Sequence, residues 1–251
     1  MVVGTSVGAL NGTVVADDPD AAADRLAALW STVTREDVFG KTLPTAYRLA
    51  SRQSSAIDSR ALQAFVERAI ASRDFADLKI PHTAITTDFD TGEMVPLRDG
   101  DLISAVMASA AIPAVFPVVE RNGRRLVDGG VVANVPIGVA AAQGAQTIVV
   151  LDCGFTVIAP QKEETLRANL LRMAAIMASQ QVRRDLEKVR DQTVLYLPGP
   201  WPIGSRPDDF RRSQELAAAA YGLSIEWLSE LRIEGPGRYG KAPSDFLAKP
   251  H

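Results

Sequence analysis

Apolar and polar positions along the 251-residue chain fall into two periods, and the changes between them mark the elements. Two valines run into Gly4-Thr5-Ser6-Val7-Gly8, a short apolar strand followed by small residues that can begin a helix. Asp17-Asp18-Pro19-Asp20 caps a helix whose apolar positions Ala22, Leu26, Leu29, Trp30 and Val33 recur at helical spacing. Asp58 precedes a second such helix, with Leu62, Phe65, Val66 and Ile70 on one face. Between them, Arg35 to Ala56 lacks a clear period, carries Val38, Phe39, Leu43, Tyr47 and Leu49, and reads either as a lid near a site or as a plain connection.

Thr83 to Thr87 is a β-branched run, and Asp90-Thr91-Gly92 turns the chain into Glu93 to Leu97 as in a hairpin. Asp101 starts a helix of small residues that Pro113 ends. Val118-Val119, the Asn122-Gly123 turn and Arg125-Leu126-Val127 signal a second hairpin, and Asp128 stands where its strand runs out. Val135 to Gln143 reads as a helix closed by Gly144, and Thr147 to Leu151 as a continuously apolar strand of the buried parallel kind. A long helix over Thr165 to Arg190, a strand over Thr193 to Leu197 and an amphipathic helix over Ser213 to Arg232 follow. The tail, residues 235–251, holds three prolines and is expected to fray. Strands alternating with helices predict an α/β fold, a single domain over residues 1–251 with a mostly parallel central sheet and helices on both faces.

Composition narrows the function classes. Apolar residues make up 47% and charged residues 23% of the chain, the proportions of a globular domain. A net charge of −3 supplies no attraction towards nucleic acid, so no nucleic-acid partner is expected. One cysteine and two histidines leave little for a disulfide or a metal site, and neither a metal nor another cofactor is expected. No Lys or Arg occurs before Arg25, and Asn11 interrupts an apolar stretch too short to span a bilayer. The start therefore reads as neither a signal peptide nor a transmembrane segment, and a cytoplasmic location is expected; oligomeric state is left open.

G-x-S-x-G between a strand and a helix is the nucleophile-elbow pattern. Gly4 and Gly8 give a tight turn on which the Ser6 hydroxyl projects, and the following helix aims its N-terminal end and the Val7 N–H at a developing oxyanion. A serine needs a base. Only His82 and His251 are histidines, one beside a strand start and one at the last position, which disfavours a Ser-His-Asp triad. Asp128, followed by Gly129 and Gly130, is the alternative base, since two glycines let its loop approach another closely; a strand-end aspartate capping a turn is the structural alternative.

Three stretches in order, GTSVGALNG from Gly4, ASAAIPAVFP from Ala108 and VDGGVVANVP from Val127, resemble the patatin-like phospholipase family. The resemblance spans roughly Val2 to Leu151, including Thr86 to Glu93, and implies a patatin-like α/β fold and a lipid acyl hydrolase that cleaves carboxylic esters through an acyl-enzyme. Carried over by position, Ser6 is the nucleophile and Asp128 its base in a Ser-Asp dyad, supported by Gly4, Gly8, Gly129 and Gly130. A lipid or ester substrate, met at a membrane surface, is implied with it. Family members carry a further strand and a glycine-rich oxyanion loop before the elbow, whereas this chain starts at the elbow strand. Low activity and an unpaired edge at Met1 to Val3 are therefore expected, and a catalytically impaired module that binds lipid or a protein partner is the competing function.

Other residues receive plainer readings. Gly4, Gly8 and Gly12 with Asp24 do not match the spacing of a dinucleotide loop. Cys153 reads as a small core residue, Trp30 and Trp227 as packing residues, and Pro113 and Pro117 as the wall beneath the pair. Arg183-Arg184 and Arg211-Arg212 read as solvated helix faces, either of which can meet anionic headgroups.

Overall fold

In a computed structural model that describes residues 1–40, 57–155, 165–201 and 208–247, the opening valines form β1 (Val2–Thr5) and the β-branched run forms β2 (His82–Asp88). The chain divides into two units, Met1–Val132 and Ala133–His251. In the first, both turn signals produce the expected hairpin strands: β3 (Met94–Leu97), then β4 (Val119–Arg121) and β5 (Arg124–Asp128). Asn122 and Gly123 both take positive φ, 51° and 74°, the pairing that closes a two-residue hairpin with the right twist.

The register around β2 builds the site. β1 runs parallel to β2 with Val2 opposite His82 and Thr5 opposite Ile85. β5 runs antiparallel to β2 with Asp128 opposite Thr86 and Leu126 opposite Asp88. β3 pairs with Ala84 to Thr87 and so overlaps both partners. A strand has two edges, which means β1 and β5 share the edge that β3 leaves. They meet end to end there, Thr5 and Asp128 lying against consecutive residues of β2. The outer edge of β1 has no partner strand among the described residues.

Helices cover this sheet. They are α1 (Val7–Asp17), α2 (Ala22–Thr32), α3 (Arg35–Phe39), α4 (Arg60–Ala69) and α5 (Leu102–Ser109), and all lie close to the predicted places except the short α3, which falls in the stretch that shows no clear period. Thr34 and Asp37 form a reciprocal capping box at α3, and Asp101 Oδ1 accepts the Ser104 N–H at 2.6 Å at the start of α5. Leu62, Phe65, Val66 and Ala69 bury one face of α4. Every residue of β2 is buried, so both of its faces are covered. Trp30 packs edge-on against Phe65 and its indole N–H donates to Asn11, a packing role as expected. Most of the aperiodic stretch from Arg35 to Ala56 lies outside the described residues; its start is α3.

The short turn α6 (Gly130–Ala133) leads into the second unit. There α7 (Ile137–Ala142), β6 (Thr147–Val150), α8 (Leu166–Lys188), β7 (Thr193–Tyr196), α9 (Ser213–Glu230) and β8 (Gly237–Tyr239) follow in order. The sheet β6-β7-β8 is parallel throughout. Ile137, Ile148, Val150, Val182, Val194 and Tyr196 share one buried cluster. The expectation of a parallel sheet thus holds for this unit and for β1–β2, while β3, through a hairpin turn, and β5, through a longer connection, pair antiparallel with β2.

Three expectations need correction. The tail does not fray from residue 235: Gly237–Tyr239 pairs with β7 as β8, and Ala242 is fully buried. Only residues 248–251, His251 among them, lie outside the described part of that tail. β6 is not buried throughout, because Val149 and Leu151 are exposed while Ile148 and Val150 are buried, the alternation of a strand covered on one face. Cys153, two residues beyond Leu151, is exposed and not a core residue.

Candidate active site

Ser6 stands where β1 ends and α1 begins, with φ 56° and ψ −122°. A non-glycine residue in this region is strained, at a cost of about 1–3 kcal/mol, and persists because its surroundings fix it. Two constraints do so. A Cβ on Gly4 would lie 2.1 Å from the Gly8 carbonyl oxygen, so only glycine lets β1 and α1 come this close. The Ser6 N–H donates to Ser109 Oγ at 2.9 Å, while its carbonyl accepts from Ala9 and Leu10 N–H at 2.9 and 3.2 Å and locks the first turn of α1. Gly8 differs from Gly4 in that a Cβ there would meet nothing within 4 Å.

Asp128 ends β5 and is 6% exposed. Its Oδ1 accepts the Gly130 N–H at 2.7 Å, and its carboxylate accepts a side-chain hydrogen bond from Ser6. Its backbone is tied on both sides: the N–H donates to the Ala111 carbonyl at 2.9 Å, and the carbonyl accepts Thr87 Oγ1–H at 3.0 Å. Burial pushes the carboxyl up to about 6, against the pull of the Ser6 and Gly130 hydrogen bonds. Gly129 must be glycine, since a Cβ there would lie 2.2 Å from the Ile85 carbonyl oxygen. The two glycines after Asp128 therefore act differently, one by close approach and one as a donor.

Val7 is the first residue of α1 and is 38% exposed. Its N–H belongs to the first helical turn and has no acceptor among the described residues, which leaves it able to face a negative oxygen together with the helix end. Ser109 is the residue that sequence reasoning missed. Its one signal was a hydroxyl inside the small apolar run from Ala108 to Ala114.

His82 is not brought to the pair. It lies opposite Val2, three residues below the Thr5–Ile85 level, or about 10 Å along the strand. Its ring Nδ1 is 3.2 Å from the Val2 carbonyl oxygen, its face stacks on Phe75, and burial lowers it to about 4, so at neutral pH it is an uncharged packing residue. Gly12 lies inside α1 against His82 and Val2, away from any loop that could wrap a dinucleotide. Among the described residues no group of three His, Cys, Asp or Glu side chains is arranged to hold a metal ion, and no helix is long and apolar enough to cross a membrane. A shallow cleft lined by Gln63, Glu67, Arg73, Asp101, Ser104 and Met107 includes neither Ser6 nor Asp128.

The patatin-like phospholipase family model matches residues 1–141, more than half of the chain. Patatin-like phospholipase domain-containing protein 6 of Mus musculus is 27% identical over 156 residues, covering 61% of this chain and 11% of the relative. A patatin-like phospholipase domain-containing protein of Caenorhabditis elegans, ZK370.4, is 31% identical over 157 residues with the same two coverages. Lysophospholipase NTE1 of Mycosarcoma maydis is 29% identical over 158 residues, 61% of this chain and 8% of the relative. The match thus spans about a tenth of the length of these curated relatives.

Proposed function

This chain belongs to the patatin-like phospholipase family, a family of lipid hydrolases, and on that premise we propose that it cleaves lipid carboxylic esters with Ser6 as nucleophile and Asp128 as general base. In this reading Ser6 Oγ attacks the ester carbonyl carbon while its proton passes to the Asp128 carboxylate. The Val7 N–H faces the tetrahedral oxyanion. Collapse of that intermediate breaks the bond to the alcohol, which leaves with the proton from Asp128, and Ser6 carries the acyl group. Water then attacks the acyl-enzyme, giving its proton to Asp128, which returns it to Ser6 Oγ as the fatty acid departs.

The observation that carries the proposal is the hydrogen bond between a strained serine hydroxyl and a buried carboxylate raised to about 6. A carboxylate at its ordinary 3.8 is a feeble base, and one raised towards neutrality is matched to its task while still ionised at pH 7. An apolar substrate is supported by three exposed aliphatic side chains adjoining the site residues in sequence: Val7 after Ser6, Ile112 after Ala111 and Val131 after Gly130. A membrane surface as the place of action is supported by α8, which exposes Leu170, Met173 and Met177 on one side with Arg184 and Lys188 further along it.

A module that binds lipid or a partner but hydrolyses little is favoured by the outer edge of β1 beside the elbow, which has no partner strand among the described residues. One experiment separates the two. A serine-directed fluorophosphonate should label the parent at Ser6 and leave Ser6→Ala unlabelled, with hydrolysis of a short chromogenic ester lost in the same variant. Sedimentation with vesicles in the absence of either reaction would support the binding module instead.

A further inference from the structure

Building on the reading of Ser6 and Asp128 as a reactive pair, we propose that Ser109 is a positioning residue, and that the segment from Ser109 to Ala111 is the strap that sets the separation of the two. Ser109 is the last residue of α5, 0% exposed, with the buried alanines Ala105, Ala108 and Ala111 nearby in sequence. Its hydroxyl is used in both directions: it accepts the Ser6 N–H at 2.9 Å and donates to the Ile85 carbonyl at 2.7 Å. Two residues on, the Ala111 carbonyl accepts the Asp128 N–H at 2.9 Å. One short segment therefore grips the backbone of both members of the pair.

The place of this grip follows from the sheet. β2 changes partners from β1 to β5 between Ile85 and Thr86, and a simple ladder cannot hold two strand ends that meet head to head. The Ile85 carbonyl sits at that junction, takes the Ser109 hydroxyl, and is the same group against which Gly129 packs. The Ser6 N–H is engaged by Ser109 and so is withheld from the substrate, which leaves the Val7 N–H as the donor of the elbow. Without the Ser109 hydroxyl, the Ser6 backbone loses the bond that holds it at positive φ, and Oγ drifts relative to Asp128.

The test compares Ser109→Ala, Ser109→Cys and Ser109→Thr in the full chain, with Ser179→Ala as control, a buried serine of α8 whose hydroxyl bonds the Ile176 carbonyl at 2.8 Å. Ser109→Ala should lower kcat for a short ester by about tenfold to a hundredfold, the scale of a small misplacement of reacting groups. KM should stay within twofold, the fluorophosphonate labelling rate should fall in step, and Ser109→Thr, which keeps the hydroxyl, should restore most of kcat. Hydrogen exchange at the Ser6 amide should quicken at least tenfold in Ser109→Ala and stay unchanged in Ser179→Ala. If the parent neither hydrolyses nor labels, the functional proposal fails and the strap stands or falls on the exchange result alone. Parental kcat in Ser109→Ala, a loss carried by KM, or unchanged Ser6 exchange overturns the proposal; if Ser109→Ala does not fold, Ser109→Cys, similar in size but a weak hydrogen-bonding group, takes its place.

Discussion

Replacing Asp128 by Asn should stabilise the protein near neutral pH while disabling it. The carboxyl rises from 3.8 in the unfolded chain to about 6 in the fold because burial penalises its ionised form. A raised carboxyl binds its proton more tightly when folded, so the fold gains by protonation at low pH and bears the cost of ionisation as pH rises. The cost grows between pH 3.8 and about 6 and is constant above; at 1.36 kcal/mol per pH unit it reaches about 3 kcal/mol. Asn has no proton to lose, and its amide oxygen can still accept the Gly130 N–H. The variant should therefore be more stable than the parent at pH 7.5 by an amount that shrinks by about 2 kcal/mol on going to pH 4.5. Urea midpoints of both proteins across that range, read by far-UV circular dichroism, measure it; at an m-value of about 3 kcal/mol/M the change of about 2 kcal/mol is about 0.7 M. A stability difference that does not vary between pH 4.5 and 7.5 would refute the claim that Asp128 is a buried carboxylate with a raised pKa.

The same variant should hydrolyse a chromogenic ester about a hundredfold or more slowly, the usual scale for a positioned general base, whereas folded His82→Ala should change the rate less than threefold; equal losses would replace this mechanism with one that uses His82. Gly4→Ala should be damaging, because its Cβ would meet the Gly8 carbonyl at 2.1 Å, while Gly8→Ala, with nothing within 4 Å, should fold at least as well as the parent; thermal midpoints of the pair decide this. His82, lowered to about 4 by burial, takes up its proton more readily when unfolded, so its contribution to stability falls as pH drops from 6.5 towards 4, opposite in sign to that of Asp128, and His82→Gln should gain on the parent across that range.

Local chemistry made most of the first unit legible. Asn122-Gly123 can only be a tight turn, and Asp101 before a small-residue run caps a helix, so β4, β5 and α5 fall where the pattern puts them. Ser6 and Asp128 were legible as candidates because both stand at strand ends beside glycines. What brings them together was not: that β1 and β5 share one edge of β2 depends on β2 pairing with residues 80 positions before it and about 40 positions after it, which no window along the chain reports. Ser109 was hidden for the same reason, since both of its partners are distant in sequence. β8 was hidden because three residues between Gly235 and Gly240 read as tail until β7 offers them a parallel edge, and Gly240 is needed there because a Cβ would lie 2.1 Å from the Tyr196 carbonyl.

The central claim is that the Asp128 carboxylate activates the Ser6 hydroxyl. The most direct measurement is the rate of fluorophosphonate attachment to Ser6, followed by mass spectrometry of the intact protein from pH 4.5 to 8.5. The rate should rise with pH through a single ionisation near 6 and level off above it, because only the ionised carboxylate can take the serine proton. Asp128→Asn should remove the plateau and Ser6→Ala all labelling. Attachment that is as fast in Asp128→Asn as in the parent, or that survives in Ser6→Ala, would contradict the account.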